Sequence, residues 1–306
     1  MKIGLIGAGK MGFTLGKHFT ASPVLQLVGY YSKNPESARK AAEFTDTKYY
    51  DDIRNLVEES DALFLTVPDG QIAVTAERLD RLGDVMDGKM LCHTSGAMTS
   101  RIFSGMKSHV YGYSIHPIYA VNSKTESYKH FSDCFITIEG DGKYLDFWSR
   151  VLSELGHGIK VIGADDKPKY HAAAVYVSNL VIGLYRMGIK LLTDCGFRAD
   201  EAEEALKPLF WNNAENLVQT GCAGALTGPV ARCDVTTVHR HLQALDGDAK
   251  RIYAMLSEEL SYLAEKNAIG KLPASHAADN VTMTENEQAR QLHISYEELR
   301  RLLREH

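Results

Sequence analysis

Within its first dozen residues the chain sets Gly7-Ala8-Gly9-Lys10-Met11-Gly12 between an apolar run that starts at residue 2 and an amphipathic stretch from Met11 to Phe19. A glycine turn that closes a strand and opens a helix is compatible with few folds. Gly7 makes the tight turn, Gly9 lets backbone approach a pyrophosphate, and Gly12 lets the helix lie close on the strand. The pyrophosphate then sits at the helix N-terminus, where free N–H groups point at it. Gly7, Gly9, Lys10, Met11 and Gly12 are therefore the first candidate dinucleotide-binding residues.

The pattern that begins there continues through the first half. Candidate strands fall at 2–7, 25–31, 62–67, 89–94, 110–115, 134–138 and 158–162, several of them continuously apolar. Such runs suit strands covered by helices on both faces. Helical stretches between them, such as Pro35 to Phe44 and Ile72 to Leu82, give the alternation of an α/β unit with a largely parallel sheet. Near residue 163 the alternation stops. Asp165, Asp166 and Pro168 read as a helix start, and helical segments follow at 169–195, 199–219, roughly 235–267 and 285–304. The expected domains are 1–163, which binds the dinucleotide, 164–270, all-helical, and a C-terminal extension, 271–306, with a terminal helix. Gly270, Pro273 and Ser275 mark the second break, and Ser295 with Glu298 fits a capping box. The last helix is either a surface helix or an arm clasping a partner subunit.

The second strand ends in Tyr31-Ser32-Lys33-Asn34, with no carboxylate before Glu36. An NAD site usually offers an acid there for the ribose hydroxyls. Ser32 can instead bond a 2′-phosphate and Lys33 can neutralise it, with Arg39 more distant, so NADP is the expected cofactor. Thr66, Val67 and Pro68 follow one buried strand and Ser95-Gly96 another, both at the carboxyl edge where ligands bind. With 34 basic and 39 acidic residues the net charge is −5, which argues against a general nucleic-acid partner. Five scattered cysteines without CxxC spacing read as reduced cytoplasmic thiols, and no metal cluster stands out. The longest uncharged run, 172–185, is too short for a bilayer and reads as a buried core helix, so no membrane partner is expected.

Candidate chemistry lies in three places. His116-Pro117 follows a strand, and His exchanges protons near neutral pH. On the helix that begins the second half, His171 and Ser178 would share a face, with Asn179 displaced by roughly 80°. The run Gly221 to Pro229, continuing through Arg232, Asp234 and His239, is a glycine-rich loop that either closes over a cleft or only lets helices approach. His171 is the first choice as proton donor or polarising group. Asn179 and Ser95 would orient a small-molecule substrate, His116 and His239 would complete the pocket, and Arg232 would hold an anionic group if free of Asp234.

On Ser95-Gly96-Ala97, His116-Pro117, Tyr170-His171 with Asn179, and Leu226-Thr227-Gly228-Pro229 followed by Arg232, Asp234 and His239, the chain resembles a group of NADP oxidoreductases. These pair a Rossmann-like domain with domain of unknown function 2520, and the resemblance spans about residues 1–270. More distantly it is similar to pyrroline-5-carboxylate reductases, ketopantoate reductases and β-hydroxyacid dehydrogenases. The resemblance implies hydride transfer between NADPH and a small carbonyl or imine in the interdomain cleft. It also implies a helical domain of the 6-phosphogluconate dehydrogenase C-terminal type that builds a homodimer. Where two of those relatives carry a catalytic Lys four residues before an Asn, this chain has Val175, and Lys167 and Lys169 do not replace it by spacing. Where the proline-forming reductases carry a glycine-rich serine/threonine motif, it reads VARCDVTT. The alternative expectation is an NADP-binding sensor or regulator without catalysis.

Overall fold

Strands β1 (Lys2–Ile6), β2 (Gln26–Tyr31), β3 (Lys48–Tyr49), β4 (Ala62–Leu65), β5 (Met90–His93), β6 (Tyr111–Pro117), β7 (Phe135–Gly140) and β8 (Gly158–Val161) form one sheet in the order β3-β2-β1-β4-β5-β6-β7-β8. The computed structural model describes residues 1–272 and 285–306. All neighbours run parallel except β6 and β7, so the sheet is mostly parallel as expected. Helices α1 (Lys10–Phe19), α2 (Pro35–Thr45), α3 (Ile53–Glu59), α4 (Ile72–Asp80) and α5 (Leu145–Glu154) cover it. Along β4, Ala62 and Phe64 enter one core while Leu63 and Leu65 enter the other. Burial on both faces is why these strands read as unbroken apolar runs. Strand order reverses at β1, which opens a crevice at the carboxyl ends of β1 and β4.

Several local expectations change. β6 runs on through Pro117, so His116 lies within a strand, opposite Thr137 of β7, and not in a loop after it. The expected helix 169–195 is two, α6 (Lys167–Val177) and α7 (Asn179–Asp194), because Ser178 leaves helical geometry at φ −119°, ψ −81°. The shared face proposed for His171 and Ser178 is therefore lost. Asp166 stands before α6 without a side-chain capping bond, and Asp165 instead pairs with Arg101 at 2.8 Å.

Chain contacts divide into two compact units, Met1–Leu180 and Val181–His306. The alternating sequence pattern ends near 163, but α6 stays with the sheet because Lys167 and Tyr170 bond residues on and beside β5 and β6. The second unit holds α8 (Ala199–Ala225), α9 (Gly228–Ala231), α10 (Val235–Ala244), α11 (Gly247–Ile269) and α12 (Glu285–Arg304), with most of α7. The expected helix 199–219 runs six residues further, through a non-helical Gly221, so the glycine-rich run is largely helical. The expected 235–267 helix breaks between Ala244 and Gly247. Val230, Val238, Leu242, Ala254, Tyr296 and Leu299 make this unit's core. Arg300 of α12 is buried and reaches Glu265 of α11 at 2.8 Å. Ser295 lies inside α12 and donates to Gln291 O at 3.1 Å, so it caps nothing. The break expected at Pro273 and Ser275 lies outside the described residues.

The apolar run 172–185 is not a core helix here. Val177 is 78% exposed and Ile182 68%, and Phe210, Trp211 and Val218 of α8 are exposed as well. By length and composition, the helical stretch Ala164–Asp194 could cross a membrane.

One buried pair makes the fold of the first unit sensitive to acid. His18 Nε2 and His157 Nε2 share a 2.7 Å hydrogen bond, and His157 Nδ1 is 3.0 Å from Cys134 O. A carbonyl only accepts, so His157 Nδ1 donates, its Nε2 accepts, and His18 donates. Burial, then the charge of His157, lowers His18 to about 4, and burial also lowers His157. The unfolded chain takes up these protons near pH 6.5 while the folded chain resists them, so stability present above about pH 6.5 is lost as pH falls toward 4. The urea midpoint is expected to drop across that window, and to drop less in His18→Gln. Equal slopes in the two proteins would contradict this account.

Candidate functional site

The turn after β1 is held by its neighbours on both sides. Gly7 N donates to Tyr31 O at 2.8 Å, and Thr66 Oγ1 donates to Gly7 O at 2.8 Å. Gly7 has φ +112°, and a Cβ there would lie 2.7 Å from Thr66 O; a Cβ on Gly12 would collide with Gly7 O. Nothing lies within 4 Å of a Cβ built on Gly9, which leaves backbone open to a ligand. These groups border a cleft of about 570 Å³ that also takes in Ser32, Lys33, Val67 and Pro68. Lys10, Met11 and Gly12 do not line it; Met11 packs into the core beside the sheet. Arg39 stacks on Tyr49, 4.8 Å from the ring centre, and does not line the cleft. Two lining cations were not legible in the sequence, Lys124 and Arg78, the latter donating to Tyr31 Oη at 2.6 Å. No carboxylate lines the cleft among the described residues. The three cations and the open backbone at Gly9 suit a phosphate-bearing dinucleotide.

Asp69, next to lining Pro68, leads into a buried polar cluster. Its carboxylate accepts from Ser95 Oγ at 2.7 Å. His93 Nε2 can only donate to Thr99 O, 3.3 Å away, so its Nδ1 accepts from Ser95 N at 3.2 Å and its tautomer is defined. His116 Nδ1 and the Tyr170 hydroxyl are 2.6 Å apart. The rings of His116 and His171 stand 6.1 Å apart around Gly96. A Cβ on Gly96 would collide with His171 Nδ1 and lie 2.9 Å from His116 Nε2. His171 Nδ1 is buried without a hydrogen-bond partner among the described residues, which is uncommon in a folded protein. Burial, then the charges of Lys167, His171 and His93, lowers His116 to about 3. It is therefore neutral at physiological pH.

Of the sequence-derived candidates, Ser95, His116 and His171 come together. Ser95 has its hydroxyl committed to Asp69, so it can position but not freely meet a substrate. Asn179 follows the helix break, and its Oδ1 accepts from Ser178 Oγ at 3.1 Å. In the second unit, Asp234 caps α10 through Thr237 N at 3.0 Å and makes no ion pair with Arg232. Arg232 borders a cleft of about 390 Å³ with Thr227 and Lys271, again without a lining carboxylate among the described residues. His239 lies on α10, with Nε2 2.9 Å from Gln243 Nε2. Asp69, which follows Pro68 at the sheet's carboxyl edge, joins the cluster as well, and Lys167, Ser114 and Glu139 complete it although spacing along the chain gives them no place in a site.

Residues 1–83 match the oxidoreductase family with an NAD-binding Rossmann fold, and residues 134–260 match domain of unknown function 2520. The chain thus joins an oxidoreductase-type Rossmann segment that binds a nicotinamide dinucleotide to a segment of that second kind. Among solved structures it is similar to a protein of Thermotoga maritima, 26% identical, with TM-score 0.69 over 86% of this chain and 98% of that one. It is also similar to a candidate NADP oxidoreductase of Bacteroides fragilis, 24% identical, with TM-score 0.59 over 85% and 98%. A pyrroline carboxylate reductase of Plasmodium falciparum, solved with NADP bound, shares the fold at 10% identity, with TM-score 0.52 over 99% and 98%. Among curated proteins nothing matches the chain.

Replacing Gly96 by Ala would force the His116 and His171 rings apart. Gly96→Ala is expected to lower stability by about 1–3 kcal/mol, as overpacking does, measured by urea unfolding at pH 7. A variant as stable as the wild type would mean that this corner is loosely packed.

Proposed function

We propose that the chain is a cytoplasmic NADP-dependent oxidoreductase that moves hydride between NADPH and a small carbonyl or imine compound. The observation that carries this reading is a juxtaposition in the first unit. A cleft with three cations, and no carboxylate among the described residues, is lined by Pro68, and the next residue, Asp69, bonds Ser95 beside the paired imidazoles at Gly96. Gly7 and Gly9 would hold the pyrophosphate, and Ser32, Lys33 and Arg78 the 2′-phosphate. Bound NADPH supplies the hydride. A neutral His116 turns Nε2 toward the reacting oxygen or nitrogen, and the unpartnered His171 Nδ1 completes its hydrogen bonding. Ser95 holds the turn through Asp69, and Asn179 orients the substrate. Within the second unit, Arg232 and Lys271 border a cleft suited to an anionic group, and His239 stands on α10.

The exposed apolar residues of α7 and α8 support a homodimer. Tyr185 and Phe210 already join these two helices at 5.3 Å between ring centres, while Ile182, Trp211 and Val218 face outward. Arg186 and Lys190 interrupt the same helix, which suits a protein partner better than a bilayer. Sedimentation is expected to give a dimer, and Trp211→Glu a monomer at micromolar concentration. A monomeric wild type would remove this part of the proposal.

The cofactor reading is tested by calorimetry with NADPH, NADP, NADH and NAD. NADPH is expected to bind about 10–100-fold tighter than NADH, the worth of one or two charge-assisted hydrogen bonds. Lys33→Ala or Arg78→Ala should erase most of that preference and leave NADH affinity near its starting value. Preference for NADH would overturn the phosphate assignment, and no binding of any of the four would overturn the reading as a whole.

A further inference from the structure

Lys167 is 1% exposed, and an ammonium is costly to bury unless its protons are satisfied. Among the described residues no carboxylate lies within ion-pair distance of it. The two nearby acids are occupied by neutral donors: Asp69 by the Ser95 hydroxyl, and Glu139 by Ser100 N and Oγ, both at 2.7 Å. Lys167 Nζ instead donates to Ser95 O at 2.9 Å and Ser114 Oγ at 2.6 Å, and Ser114 Oγ donates to Ser95 O at 3.2 Å. The Ser95 carbonyl is thus held by two donors in the interior.

A trans peptide points its N–H opposite to its C=O, and the chain has no cis peptide bond among the described residues. With Ser95 O drawn inward, the Gly96 N–H is directed the other way. Gly96 is a buried residue, yet its N–H meets no acceptor among the described residues. Unpaired buried backbone N–H groups are rare, and this one belongs to the residue flanked by His116 Nε2 and the unpartnered His171 Nδ1.

We propose that the Gly96 N–H is a substrate-binding donor, and that Lys167 is the positioning residue that aims it by holding the Ser95 carbonyl. The inference rests on the carbonyl or imine reading above. Were hydride delivered to a substrate carbonyl, the π pair would move onto oxygen, and the preset Gly96 N–H would meet the charge building there before water delivers a proton. Such donors act on the transition state more than on the ground state. The groups that face Lys167 are Asp69 before α4, His93 of β5, His116 of β6, Glu139 of β7 and Tyr170 of α6, whose ring centre is 5.8 Å from Nζ. Burial lowers Lys167 to about 8, against the opposing pull of Glu139 and Asp69.

Isotope-labelled full-length protein, titrated from neutral to alkaline pH, tests this through the Ser95 carbonyl-carbon and Gly96 amide-nitrogen resonances. In the wild type both are expected to move together with a midpoint near 8. Lys167→Met should lack the transition and start at the alkaline wild-type positions, whereas Lys167→Arg should keep the neutral ones throughout. Formate, added as a small oxygen-anion probe with NADP present, should shift the Gly96 amide in the wild type and the Arg variant but not in the Met variant. A pH-insensitive Gly96, or one that formate leaves in place, overturns the proposal. If neither variant folds, the two wild-type titrations still decide. Failure of NADPH to bind in calorimetry would count against the cofactor reading, and the pH coupling of Lys167 to Gly96 is scored apart from it.

Discussion

How closely the turn after β1 lies against the turn after β4 governs the first unit. Gly7 adopts a positive φ with its carbonyl bonded by Thr66, and there is no room for a side chain on either Gly7 or Gly12. This contact brings the start of α1, the end of β2 and the end of β4 around one cleft. A side chain at Gly7 or Gly12 would push these elements apart, and Ser32, Lys33 and Arg78 would no longer converge.

Beyond that cleft lies a cluster whose polarity is compensated group by group. Lys167 is the buried cation, Asp69 and Glu139 are the acids, and His93 and His116 are kept neutral by burial and by the ammonium. Nearly every donor and acceptor is matched, and such networks define one arrangement because a missing partner is costly. Within this cluster the unmatched groups, His171 Nδ1 and the Gly96 N–H, sit together; Thr14 Oγ1, Tyr50 Oη and Trp148 Nε1 are unmatched elsewhere among the described residues.

The second unit follows a different economy. Its core of modest side chains is closed by α12 and the Arg300–Glu265 pair, while α7 and α8 turn large apolar residues outward. These residues carry the homodimer proposed above.

By itself, the sequence determined the glycine turn, the parallel sheet and the all-helical second half, because those depend on local periodicity and on backbone positions that tolerate no side chain. Ser32-Lys33 could also be read at a strand end, since strand direction says which end meets a ligand. Only the tertiary structure decided what lies across from them. Arg78 and Lys124 reach the cleft from elements far along the chain, and no spacing rule links them to Gly7. Spacing gave Lys167 no place in a site, yet α6 docks it onto Ser95 and Ser114. The continuous apolar pattern of 169–195 concealed the break at Ser178, where backbone geometry departs from the helix without any proline or glycine to announce it. Burial is a property of what packs against a residue, and in this chain those neighbours are dozens of positions away.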